Sequence, residues 1–177
     1  MPAIHPLPML WLLTDVRNDA RLERAIAGLP ARSAVVFRHY HLDEAARRKR
    51  FDALAALARK NGYAMVLSGG AETAAAWGAD GAYAPPDRLG PPSELLRIAT
   101  AHDADEIAQA EAVEADAVML SPLFPTRSHA DAKTLGIAGF HALAKATRLP
   151  VIALGGMTAE RARQLDWPRW AAIDGLS

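Results

Sequence analysis

Eight short apolar runs recur along the 177 residues, separated by stretches of helical character rich in alanine. They span 9–15 (MLWLLTD), 33–40 (SAVVFRHY), 63–70 (YAMVLSGG), 81–85 (GAYAP), 95–102 (LLRIATAH), 117–124 (AVMLSPLF), 150–156 (PVIALGG) and 170–177 (WAAIDGLS). The runs are apolar throughout instead of alternating, as strands are when both faces of a parallel sheet are covered. Helices are predicted over 19–29, 43–62, 71–78, 103–114, 136–147 and 158–166, with Asp43 as an N-cap and Gly62 as a stop. A proline-containing link joins the fourth and fifth runs. Eight strand–helix units, the last without its helix, indicate a compact α/β (β/α)8 TIM barrel; a doubly wound α/β sheet is the alternative. Each unit has about 22 residues, against a typical total of ~250 for such barrels.

No glycine-rich linker interrupts this pattern, so residues 1–177 read as one domain. A barrel closing on a strand without its helix also raises the expectation of a homo-oligomer, with a partner copy over the first and eighth strands. Apolar residues make up 51%, charged residues 23%, and the formal net charge is zero. A neutral chain carries no electrostatic footprint for nucleic acid or an anionic membrane. Without cysteine there is no thiol chemistry and no Cys-ligated metal. The first ten residues have three prolines and no basic leader, unlike a signal peptide, and no apolar run reaches ~20 residues. A cytoplasmic protein is expected.

In parallel α/β folds the chemistry gathers at the C-terminal ends of the strands. Here those ends carry Thr14 and Asp15, Arg38 and Tyr40, Ser68 to Gly70, Thr100 and His102, Ser121 with the loop beyond it, Gly155 and Gly156, and Asp174 with Gly175. Gly155 and Gly156 stand immediately before a helix, where backbone N–H groups can approach a phosphate; a tight turn with Thr158 as a helix cap is the plainer alternative. The loop in SPLFPTRSHADAKTLG (121–136) offers Thr126, Ser128 and Arg127 as anion donors, and His129 and Lys133 as charge or general acid–base groups. A loop of about ten residues exceeds the usual 2–6, which favours function over a solvated connection.

Arg38 shares a strand face with Val36 and Tyr40, and faces the site if that face is the barrel interior. His39 and His41 share the other face; with no third ligand nearby they suit an exposed strand end better than a metal pair. Asp103 and Asp105 follow His102 at a helix start, where acids are favoured on structural grounds. No G-x-S-x-G elbow and no glycine-rich dinucleotide or P-loop pattern is present.

SPLFPTRSH followed by PVIALGGM, with TAHDADEIAQAEAVEADAVML before it, resembles the thiamine phosphate synthase/TenI family. WLLTD and AWGADGAY fit the same order, so the resemblance covers nearly the whole chain. It implies a (β/α)8 barrel and, for the synthase, the joining of a pyrimidine pyrophosphate to a thiazole phosphate with release of pyrophosphate, assisted by Mg²⁺. It implies phosphate-binding roles for Thr126, Ser128, Gly155 and Gly156; Thr100 matches a serine on strand five and is a candidate for substrate or phosphate binding, and Arg38 matches an arginine on strand two. His129 stands where the family has a lysine, with Lys133 close enough to substitute, so Arg38, His129 and Lys133 are the candidate catalytic residues. The phosphorylated thiazole or pyrimidine is the expected partner. The magnesium ligands are not matched: the family's strand-three Asn-Asp pair is Ser68-Gly69, and the next acidic position falls near Arg88, with Asp87 one residue away. Tyr40 stands for a lysine, and Asp174 for a serine. The TenI branch, a thiazole tautomerase, uses a histidine where this chain has Pro122. A phosphate-ligand binder without catalysis, or an isomerase with a relocated base, is the alternative to a synthase.

Overall fold

The computed structural model describes residues 6–177, apart from the side chain of residue 129. Eight parallel strands close into a barrel in sequence order. They are β1 (Leu10–Leu13), β2 (Ser33–Phe37), β3 (Ala64–Ser68), β4 (Gly81–Ala84), β5 (Leu96–Ala101), β6 (Ala117–Leu120), β7 (Val151–Ala153) and β8 (Trp170–Ala172). β8 returns to β1 in the register Leu10↔Trp170, Trp11↔Ala171 and Leu12↔Ala172, which excludes an open doubly wound sheet. Six helices lie between strands: α1 (Leu22–Ala27), α2 (Glu44–Lys60), α3 (Ala71–Ala76), α4 (Ala104–Ala112), α5 (Gly136–Ala146) and α6 (Ala159–Leu165).

Period-two alternation sorts each strand into two shells. Trp11, Leu13, Val36, Val66, Tyr83, Ile98, Met119 and Ile152 fill the interior. Leu12, Val35, Phe37, Met65, Leu67, Val118 and Leu120 point outward and pack beneath the helices. Each such side chain, fully buried, stabilises by about 1.5–3 kcal/mol. The largest interior residue, Trp11, also donates its indole N–H to Pro8 O at 2.9 Å, so its burial leaves no unpaired donor.

Helix ends follow the sequence signals. Asp43 caps α2 by accepting from Ala46 N at 2.9 Å, Asp103 caps α4 by accepting from Glu106 N at 2.9 Å, and Gly62 takes φ +75° past the end of α2. Two units lack an α-helix. The link after β4 forms only a 3-10 turn at Pro86–Arg88, and β8 is followed by another at Asp174–Leu176. Behind the first, Arg97 is 2% exposed and donates to the carbonyls of Gly90, Val113 and Glu114. One outward-facing guanidinium thus ties the link to the end of α4.

Candidate functional site

A cavity of about 660 Å³ opens at the C-terminal ends of the strands. It lies there because the interior positions one step past the packed core are polar: β5, for example, places Leu96 and Ile98 inside and Thr100 next above them. Arg38, Ser68, Thr100 and Ser121 line it at the ends of four strands, Arg38 and Ser121 one residue past β2 and β6; Arg38 therefore continues the interior face of Val36. Tyr83 lies against it too, and burial pushes this phenol up to about 12, so it remains a neutral hydroxyl at physiological pH.

Arg38 is built into place. Its backbone N–H donates to Thr14 Oγ1 at 2.9 Å, its Nε to Thr14 O at 2.9 Å, and its Nη2 to Asp15 Oδ2 at 2.8 Å. Thr14 in turn meets His39 Nδ1 at 2.8 Å, and His39 Nε2 meets Asp19 Oδ1 at 2.8 Å. The sequence suggested an exposed end for His39; instead it is 1% exposed, with φ +44°. This left-handed backbone turns the ring onto Phe37, where the two stack at 4.8 Å. Burial pushes the His39 imidazole below its usual value, with Asp19 partly offsetting it. Since both ring nitrogens are engaged, the ring serves the scaffold behind Arg38, not a metal.

The glycine turn after β7 faces the long loop after β6. Gly155 and Gly156 have φ +110° and +62°, and a Cβ at Gly156 would lie 2.6 Å from Pro125 O. No hydrogen bond among the described residues occupies either amide N–H. The carbonyl of Gly156 accepts from Arg161, whose guanidinium lies 4.8 Å above the Phe124 ring. Thr158 caps α6 by accepting from Arg161 N at 3.2 Å, so the capping role considered for it is real and coexists with the open turn. Across from it, Thr126 Oγ1 caps the 3-10 turn Arg127–His129 by accepting from Ser128 N at 3.4 Å. Ser128 Oγ accepts from Arg17 Nη2 at 3.0 Å. Lys133 is exposed and stands outside the cavity lining, and the side chain of His129 lies outside the described residues.

Arg17 and Arg161 were not singled out from the sequence, and Arg88 only as the residue nearest an expected acid. Arg17 reaches over the mouth from the loop after β1, with Nε 3.4 Å from Asp15 Oδ1 and Nη2 3.6 Å from Asp174 Oδ2. Arg88 follows β4, and Arg127 adds a further guanidinium. The lining thus holds five arginines and one carboxylate, Asp174, in a chain with no net charge. Asp87 is exposed and outside it. Mg²⁺ takes carboxylates and phosphate oxygens. A wall with one carboxylate, already beside Arg17, does not fit that ion. Among the described residues no cluster of three acids or histidines can hold a metal.

Comparisons with known proteins bear on the fold and the family. The family model for thiamine monophosphate synthase matches residues 12–167. A putative thiamine-phosphate synthase 2 of Aquifex aeolicus is 32% identical over 113 residues, 60% of this chain and 60% of that protein. A thiamine-phosphate synthase of Pyrococcus horikoshii is 30% identical over 114 residues, 60% of this chain and 53% of that protein. The matched stretches thus span little more than half the length of these curated relatives. In fold, the solved thiamine phosphate pyrophosphorylase of Pyrococcus furiosus superposes with a TM-score of 0.78 at 23% identity, covering 95% of this chain and 86% of that one. Barrel, strand-end cavity and sequence match together place the chain in the thiamine monophosphate synthase family.

Proposed function

We propose that the cavity binds the phosphorylated thiazole and the pyrimidine pyrophosphate of thiamine biosynthesis and couples them. The observation that carries this is the pairing of the Gly155–Gly156 turn, whose amide N–H groups donate to none of the described residues, with Thr126, Ser128 and Arg17 on the opposite loops. Backbone N–H groups, hydroxyls and a guanidinium together form a phosphate cradle. Arg38 and Thr100 then line the remaining wall, toward the second ligand. Release of pyrophosphate needs cationic groups at the departing oxygens, and arginines supply them here.

A second reading, binding without coupling, is favoured by Ser68 and Gly69, which stand where the resemblance expects a magnesium aspartate. Incubation with both precursors and Mg²⁺ tests the two. Formation of thiamine phosphate is the expected result. A rise in melting temperature with thiazole phosphate but no product supports the binder, and neither response overturns both readings.

A further inference from the structure

The family's reaction calls for a divalent cation, yet the wall that should hold it carries positive charge. Two features bring this about on the β2–β4 side. Arg38 is fixed by Thr14 and Asp15, with hydrogen bonds on Nε and Nη2 and none among the described residues on Nη1. Arg88 reaches the wall because the chain after β4 folds down against the end of β3. The absence of a side chain at Gly70 permits this, since a Cβ there would lie 2.8 Å from Arg88 O, and Ala71 N donates to Leu89 O at 3.0 Å. Asp87, the adjacent acid, is left outside. The hydroxyls of Ser68 and Tyr83 lie in the same wall.

We infer that Arg38 and Arg88 take the place of the divalent cation, so that this site binds a diphosphate group without magnesium. The inference rests on the proposed function and specifies its electrostatics. Guanidinium forks pair two N–H groups with two oxygens, match phosphate geometry, and stay charged at any physiological pH. A divalent ion placed among them would meet five guanidinium groups in the lining and two nearby carboxylates, Asp15 and Asp174, each already beside an arginine. Two anion positions follow from the layout. Arg17 and Arg161 serve the glycine turn, and Arg38 and Arg88 serve the opposite side.

The test is titration of the whole chain with inorganic pyrophosphate at constant ionic strength, once in EDTA and once in MgCl2, each corrected for heat of the probe alone. Binding in EDTA is expected, with affinity in magnesium unchanged or weaker because the ion competes for the probe. Arg88→Ala is expected to weaken binding in EDTA about tenfold or more, the loss of a charge-assisted bidentate contact. Binding that appears only with magnesium overturns the inference and leaves the phosphate site standing. No binding in either buffer overturns the anion site itself. Unchanged affinity in a folded Arg88→Ala protein, checked by its melting curve, removes Arg88 from the role.

Discussion

The guanidinium of Arg17 donates to the hydroxyl of Ser128 at 3.0 Å and lies 3.6 Å from Asp174, joining the loops after β1, β6 and β8. One arginine thereby sets the width of the mouth on the side of the glycine turn. Its charge is partly neutralised by Asp174, so removing that acid frees the arginine for a ligand. Asp174→Asn is expected to strengthen phosphate binding by about two- to fivefold, the range of a partly exposed ion pair. Arg17→Ala is expected to weaken it, and isothermal titration with inorganic phosphate measures both. Equal affinities in the two variants would detach this bridge from binding.

Arg47 holds the opposite rim from behind. Its Nε donates to Arg38 O at 2.8 Å and its Nη2 to Ser68 O at 2.9 Å, clipping the ends of β2 and β3, while the Trp77 ring lies 5.2 Å away. A lysine keeps the charge and loses the fork. Arg47→Lys is expected to destabilise the fold by about 1–3 kcal/mol and to weaken pyrophosphate binding with it. Urea unfolding checks the first part; a midpoint equal to that of the parent chain contradicts it.

The Thr14–His39–Asp19 chain gives stability a dependence on pH. Burial lowers the His39 pKa from 6.5, so between the folded value and 6.5 the unfolded chain binds more protons. Stability contributed by neutral His39 is therefore present above about pH 6.5 and declines as pH falls through the folded value. Asp19 acts in the same sense at lower pH. Burial raises its pKa, but hydrogen bonds from His39 and Arg50 outweigh that and bring it below 3.8. Unfolding midpoints from neutral to mildly acidic pH should fall for the parent chain and stay flatter for His39→Gln. Parallel slopes would contradict the assignment.

Gly175 marks the closest approach between the last two strand-end loops: a Cβ there would lie 2.2 Å from Met157 O. Gly175→Ala must push the β8 loop off the β7 loop, a backbone shift that costs about 1–3 kcal/mol. Differential scanning calorimetry should show a lower melting temperature, and the phosphate affinity should fall with it. An unchanged melting temperature would show that this contact is looser than described.

The eight strands were legible because each is a continuous apolar run bounded by polar or glycine residues, whereas closure of β8 onto β1, against an open doubly wound sheet, shows only in their pairing. The prolines at 85, 86, 91 and 92 mark the link after β4, but that this unit too lacks an α-helix shows only in the fold, since the pattern reads as eight strand–helix units with only the last helix absent. The lining of the candidate site was legible in part. Thr126, Ser128, Gly155 and Gly156 lie on loops whose length and composition mark them, and all four line the cavity. Arg17, Arg47 and Arg161 were not legible, since an arginine near a helix or in a loop usually extends into water, and only the fold shows how far each reaches. His39 escaped for a different reason: its left-handed backbone turns it away from the exposed course that strand alternation implies.

A crystal of the whole chain soaked in inorganic phosphate, with the fold unchanged, tests the central claim most directly. Phosphate between the Gly155–Gly156 turn and the hydroxyls of Thr126 and Ser128, within reach of Arg17, is the predicted result. Phosphate bound elsewhere while that turn stays empty would contradict it.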